Sequence, residues 1–299
     1  MNSPARAADL LEDRSEELPF APRHKRIGAI LLDTGIVTQA DVEQIAIHAR
    51  VQKRRFGDAA VALGKVSRQA VQGALALQFD HHLVRPGSTA ISREVVAAFE
   101  SDHPVLDDLR ILRNHILMRW LDAAPLHSRC VAVMSADRGD GRSFVAANLA
   151  VTFSQMGQRT LLIDADMRNS RQHLLFGLHN HAGLSSILSQ RTAGDAFRRI
   201  DGLPDLSVMG CGGTPPNPVD LLARDAFGKV LEGVARTYDV IVVDTPPADR
   251  PEAAMIAARA RGCVVVAREG ATSFSRLRQL STNLRSAGAT VIGSVLSRH

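Results

Sequence analysis

The run Cys130-Val-Ala-Val-Met134 is uninterrupted apolar sequence, and it breaks off into the polar stretch Ser135-Ala-Asp-Arg-Gly-Asp-Gly-Arg-Ser-Phe144. A helical pattern, Val145-Ala-Ala-Asn-Leu-Ala-Val-Thr-Phe153, follows at once. Strand, glycine-bearing turn and helix in this order are the context of a loop that cradles phosphate. Glycine lets the backbone adopt positive φ and come close to an anion, and the amides of the loop and the helix start then face phosphate oxygens. Ala136, Asp137, Arg138, Gly139, Asp140, Gly141, Arg142, Ser143 and Phe144 are the candidate nucleotide-binding residues. The common form of such a loop has lysine where this chain has Arg142. Arginine keeps the charge and can bind phosphate through two parallel hydrogen bonds, but it is planar and longer.

From Cys130 onward, apolar runs alternate with helical stretches. Strands are expected at Cys130–Met134, Thr160–Ile163, Leu206–Met209, Val240–Val243, Gly262–Ala267 and Val291–Leu296. Helices are expected at Val145–Met156, Ser185–Ser189, Asp220–Arg236, Pro251–Arg261 and Ser273–Ala287. Continuous apolar strands are those of a parallel sheet buried on both faces, so the fold class is α/β, a doubly wound, mostly parallel sheet. Two of these runs end in carboxylates: Leu161-Leu-Ile-Asp164-Ala-Asp166 and Val240-Ile-Val-Val-Asp244. Ligands bind at the carboxyl ends of such strands, and a carboxylate there is costly unless solvated, paired or metal-bound. Two acidic strand tips beside a phosphate loop point to a nucleotide with Mg2+, with the Ser143 hydroxyl placed to join the metal.

The chain has 299 residues, enough for two domains, with a net charge of +5 carried mostly by scattered arginines. With no basic stripe and no interleaved aromatics, the charge reads as a solvated surface, and no nucleic-acid partner is expected. Cys130, Cys211 and Cys263 are far apart and lack metal-ligand spacing; they read as buried thiols. No signal peptide and no run of about 18 apolar residues is present, so a cytoplasmic protein is expected, peripheral to the inner membrane only through a partner.

An internal repeat lies near the start. Arg26–Thr38 aligns with Arg55–Ser67 at an offset of 29 residues, glycine on glycine (Gly35, Gly64) and cap on cap (Thr38, Ser67). Each unit reads as a short helix ended by glycine, then a hydroxyl-capped second helix. The expected organisation is a flexible tail over 1–25 with a short helix at Ala7–Leu18, an all-α repeat domain over 26–83, a linker with a short helix over 84–104, and a nucleotide-binding domain over 105–299. The repeat resembles the N-terminal domain of type II secretion ATPases, in which units five residues apart run from an Arg-Leu-Gly start to a glutamine. Ala49, Ala60 and Lys65 depart from that pattern. The resemblance implies cyclic di-GMP binding through Arg26 and Arg55, or a docking domain with these arginines on its surface.

Three further stretches join the loop: Ile163-Asp-Ala-Asp-Met-Arg168, Val243-Asp-Thr-Pro-Pro247 and Pro215-Pro-Asn-Pro-Val-Asp-Leu-Leu222. A helix with Asp107, Arg110 and Arg113 on one side and Leu106, Leu109, Leu112 and Ile116 on another precedes them. In this order they resemble the bacterial tyrosine kinases of polysaccharide export, P-loop proteins of the MinD-like branch, over Asp107–Ser297. With the repeat domain included, the chain resembles their EpsG-type chain length determinant kinases. The resemblance implies ATP and Mg2+ as cofactors and tyrosine on protein as acceptor. Arg142 and Ser143 would contact phosphate and metal, Asp164 would be the catalytic carboxylate, Asp166 and Asp244 would hold Mg2+, and Arg168 would order the site. Asp107, Arg110 and Arg113 would pack neighbours into a homo-oligomeric ring. The implied partner is a separate inner-membrane chain length determinant, or co-polymerase.

Departures accompany the match. Phe144 replaces a threonine, Ser170 a proline, Asp107 a glutamate, and Ser297 an asparagine that contacts adenine. The family's C-terminal tyrosine cluster is not found, and the one tyrosine is Tyr238. Two functions follow as expectations: a kinase acting on another protein's tyrosine, or a nucleotide-binding regulator of a polysaccharide co-polymerase with little phosphoryl transfer. A MinD/ParA-type positioning ATPase is disfavoured by Pro215–Leu222 and the Asp107–Arg113 helix.

Overall fold

The structure, a computed structural model, describes residues 27–78, 83–84, 90–122, 129–191, 196–223 and 225–298. The expected helix at Ala7–Leu18 and Arg26 lie outside them. The chain divides into two compact units, Met1–Phe79 and Asp80–His299.

In the first unit, α1 (Ile27–Asp33) and α2 (Gln39–Val51) repeat as α3 (Phe56–Ala62) and α4 (Arg68–Gln78). Its core follows the same 29-residue offset seen in the sequence: Ile30 with Ala59, Leu31 with Ala60, Val37 with Val66, Ile45 with Ala74. Gly35 and Gly64 end the first helix of each pair at φ +68° and +66°, the left-handed region glycine enters freely. Thr38 caps α2 in a reciprocal box with Asp41, and the Ser67 hydroxyl accepts from the Ala70 amide at the start of α4. Lys65, one of the departures, ion-pairs with Asp41 at 2.7 Å.

The second unit is a seven-stranded sheet among the described residues, in the order β3-β4-β2-β5-β1-β6-β7. The strands are β1 (Cys130–Ser135), β2 (Thr160–Asp164), β3 (Phe197–Ile200), β4 (Leu203–Met209), β5 (Val240–Asp244), β6 (Gly262–Arg268) and β7 (Thr290–Ser297). All neighbours run parallel except β3 and β4. Every residue of β1, β2 and β5 is buried, which is why these strands read as unbroken apolar runs. β3 was not expected. Its edge sequence Phe-Arg-Arg-Ile, exposed but for Ile200, carries no apolar run, and the signal that marks it is the Asp201-Gly202 turn into β4.

On one face lie α5 (Val96–Phe99), α6 (Pro104–Ile116, continued by a π-helical turn to Leu121) and α7 (Arg142–Ser154). The short helices α8 (Gln172–Leu175) and α9 (Leu184–Leu188) follow β2. The expected helix Asp220–Arg236 forms as two, α10 (Pro218–Ala223) and α11 (Ala226–Val234). With α12 (Pro251–Ala260) and α13 (Phe274–Ser286), they cover the other face.

Residues 84–104 were expected as a linker, but their described part is built into the second unit. Val84, Ile91, Val95, Ala97 and Ala98 are buried with α6 and α7. Asn148 on α7, fully buried, accepts from the Ala97 amide at 2.9 Å and donates to the Glu94 and Phe144 carbonyls. Gln155 donates to the Ala97 carbonyl at 2.7 Å.

Candidate functional site

Sheet order brings the chemistry together. β5 lies between β1 and β2, with Asp164 in register with Asp244 and Asp244 with Val133. The loop after β1 and both acidic strand tips therefore meet at one carboxyl edge. Thr245 fastens this edge by donating to the Val133 carbonyl at 2.8 Å, and the Ala165 amide donates to the Asp244 carbonyl at 2.8 Å.

The loop turns through Gly139 at φ +89° and Gly141 at φ +94°, and Arg142 opens α7. The free amides of that first turn face outward from the helix end, as an anion site requires. Arg138 and Gly139 are exposed, and Gly141, Ser143 and Phe144 are half-buried. Asp140 is buried and braces the loop: it accepts from the Asp137 amide at 2.9 Å and from the Thr272 hydroxyl at 2.8 Å. Asp137 pairs with Arg276 of α13. Gly141 also abuts β7, where a Cβ would stand 3.2 Å from Ser297 Oγ.

Arg142 is buried at 7% exposure. It donates to Ser135 Oγ at 2.7 Å and to Asp166 Oδ2 at 3.3 Å, and its Nε lies 3.4 Å from Asp244 Oδ1. The side chain expected on phosphate thus neutralises the acidic strand tips. Its length carries the guanidinium past the loop to the carboxylates, and burial of those charges rewards a cation there.

Asp164 is fully buried and accepts four hydrogen bonds. Oδ1 takes the Asp166 amide, and Oδ2 takes the Ser170 hydroxyl and the Arg171 and Gln172 amides. Expected as the catalytic carboxylate, it holds the chain between β2 and α8. Burial, with the Asp244 charge as second cause, pushes its carboxyl up to about 7. Asp244 is also raised by burial, against the lowering influence of Arg142, Gln172 and Ser143. Asp166 accepts from the Arg168 and Asn169 amides, and Arg168 reaches away to the buried Glu252 at 2.9 Å.

Gln172 was missed in the sequence. It is fully buried and donates through Nε2 to Asp244 Oδ2 at 2.8 Å and to the Ser143 carbonyl at 3.1 Å. Nothing short of the sheet order reveals it, because it follows Asp164 by eight residues with no motif of its own.

The residue types fit a hard cation at a nucleotide. Among the described residues no three His, Cys, Asp or Glu side chains form a metal cluster. Mg2+ at phosphate needs none: it takes one or two protein oxygens and completes its shell with phosphates and water. Gln172 Nε2 brings Ser143 and Asp244 together, and Gln172 Oε1 is a buried acceptor without a hydrogen-bond partner.

The other predicted residues are elsewhere. Arg110 binds Asp107 at 3.0 Å and the Ser101 carbonyl at 2.7 Å; Arg113 binds the Thr152 carbonyl at 3.0 Å and Asn114. Both arginines, expected to reach a neighbouring subunit, have partners inside this chain, because α6 packs beside the end of α7. Arg55 is the exposed residue before α3. No described helix is long and apolar enough to cross a membrane.

The chain matches known proteins over this unit. The ParA-type family model described as NUBPL iron-transfer P-loop NTPase matches residues 127–296. CapB of Staphylococcus aureus is 34% identical over 195 residues, spanning 65% of this chain and 84% of CapB. The tyrosine-protein kinase YwqD of Bacillus subtilis is 30% identical over 208 residues, spanning 69% of this chain and 86% of its own. Among solved structures, the BceF tyrosine kinase domain superposes with a TM-score of 0.62 at 31% identity, over 77% of this chain and 88% of that one. The identity to CapB and YwqD over most of their lengths, on a sheet that aligns a phosphate loop with two acidic strand tips, places this chain in the bacterial tyrosine kinase family, on the P-loop NTPase fold.

Proposed function

We propose that the chain is an ATP- and Mg2+-dependent protein-tyrosine kinase that regulates exopolysaccharide polymerisation, chain length and export. The observation that carries this reading is the shared Gln172 Nε2, which bonds both the Ser143 carbonyl at 3.1 Å and Asp244 Oδ2 at 2.8 Å and so sets a loop serine beside a strand-tip carboxylate, two groups suited to one metal ion. Mg2+ bound with ATP supplies charge neutralisation at the transferred phosphate. The chain's own residues do the rest. Loop and α7 amides orient the phosphates, Ser143 and Asp244 would hold the metal, and Asp166 would act through its hydrogen bonds. Arg142 supplies positive charge and must leave Asp166 and Asp244 to reach phosphate. Asp164, with its carboxyl near neutrality, suits proton acceptance, but first the Ser170–Gln172 segment must release it. Tyr238 is half-buried against the core just before β5, which favours a tyrosine of another protein as acceptor.

The implied setting is cytoplasmic. It includes a separate inner-membrane chain length determinant as partner, a ring built through the α6 surface of Asp107, Arg110 and Arg113, and cyclic di-GMP at the repeat domain through Arg26 and Arg55. The engagement of Arg142 by two aspartates favours one second reading, a nucleotide-dependent regulator with little transfer. Incubation with radiolabelled ATP, Mg2+ and a tyrosine-bearing partner tail separates the two. Label on tyrosine supports the kinase; tight ATP binding with no label overturns it in favour of the regulator.

A further inference from the structure

Resting on the nucleotide–metal reading above, we infer that Gln172 is a positioning residue. Its buried amide ties the loop to the metal-side aspartate and presents its carbonyl oxygen to a water of the bound cation.

The orientation of this amide is forced. Nε2 has two partners, Asp244 Oδ2 at 2.8 Å and the Ser143 carbonyl at 3.1 Å, and both are acceptors. Turning the amide over would set oxygen against oxygen at both contacts, so nitrogen faces them and Oε1 points elsewhere. There Oε1 has no hydrogen-bond partner, and the side chain has no exposed surface. Asp244 Oδ1, on the carboxylate that Nε2 holds, faces the Arg142 Nε at 3.4 Å. A fully buried acceptor on a group bonded to the metal-side carboxylate therefore lacks a donor, and buried acceptors are ordinarily satisfied. The missing donor must carry hydrogens and fit beside Ser143 and Asp244. Water held by Mg2+ meets both demands, since this ion keeps several of its waters and acidifies their hydrogens.

The same residue reaches the other side of the site. Its backbone amide donates to Asp164 Oδ2 at 2.9 Å. One residue therefore bonds to the helix that begins at the loop, to the tip of β2 and to the tip of β5. A shift of Asp244 on metal binding is transmitted through Nε2 to the segment that holds Asp164.

The test compares the full chain with Gln172→Leu, using Mn2+ as the metal probe and ADP as the nucleotide. Free Mn2+ is measured by electron paramagnetic resonance, and ADP affinity in EDTA is measured separately. The expected result is at least tenfold weaker Mn2+ binding in the ADP complex, with metal-free ADP affinity within twofold of wild type. A merely structural role would lower both together. Should Gln172→Leu not fold, Gln172→Met keeps the length and packing without the amide and gives the same readout. Unchanged Mn2+ affinity, as a trapped structural water would give, overturns the inference. Failure of the wild type to bind Mn2+ with ADP instead overturns the underlying nucleotide reading.

Discussion

Arg142 Nη2 lies 3.3 Å from Asp166 Oδ2, at the point where the chain from β2 passes behind the phosphate loop. With Asp244 on its other side, the guanidinium is the positive charge that makes two buried carboxylates tolerable in this state. The lysine of the common loop would carry the same charge as a compact point, without a fork able to touch Ser135 and both acids at once.

Arg142→Met leaves the two aspartates without their cation. It should lower stability by about 3–5 kcal/mol in the absence of metal, the usual cost of removing one partner of a buried pair. Added Mg2+ with ADP should recover part of that loss. Urea denaturation with and without the metal–nucleotide pair measures both. Equal stability of variant and wild type without metal would show that Arg142 does not neutralise the site.

Asp164 makes stability depend on pH. Its carboxyl is raised to about 7, above its unfolded value of about 3.9, so the folded state favours the protonated form. The stabilising contribution is full below about pH 4 and is lost as pH rises through 7. Asp164→Asn should flatten this slope. Denaturant midpoints for both proteins at intervals from pH 4.5 to 8 check it; parallel curves would reject the shift.

Asn148 fastens the segment after the repeat domain to α7. Asn148→Ala leaves the Ala97 amide without its acceptor, which costs about 1–3 kcal/mol for a buried group. Cleavage by a protease within residues 90–100 should speed up, and mass spectrometry of the fragments locates it. Cleavage confined to other regions would mean the segment is held by its apolar contacts alone.

Gly262 opens β6 against the sole tryptophan. A Cβ there would overlap the Trp120 indole, whose Nε1 donates to the Cys130 carbonyl at 3.0 Å. Gly262→Ala should displace the ring, cost about 1–3 kcal/mol as an overpacking change, and red-shift the tryptophan emission. An unshifted spectrum would show that the strand yields instead.

The sequence by itself determined the class of fold, the loop and the aspartates. Buried parallel strands need unbroken apolar runs, phosphate approach needs Gly139 and Gly141, and an acidic residue ending such a run stands out. It also determined the first unit, whose core positions repeat at 29 residues because two copies of one helix pair pack alike. Tertiary structure decided what those residues meet. Strand order is set by packing on both faces of the sheet, and it alone puts Asp164 beside Asp244 and lays Gln172 across them. It turned Val84, Ile91, Val95, Ala97 and Ala98 of an expected spacer into core, since these apolar side chains are too few to form a pattern but enough to pack against α6 and α7. It also gave Arg142 two carboxylates as neighbours, because a long cation beside buried charge is held by the nearest of them, wherever the motif would place it.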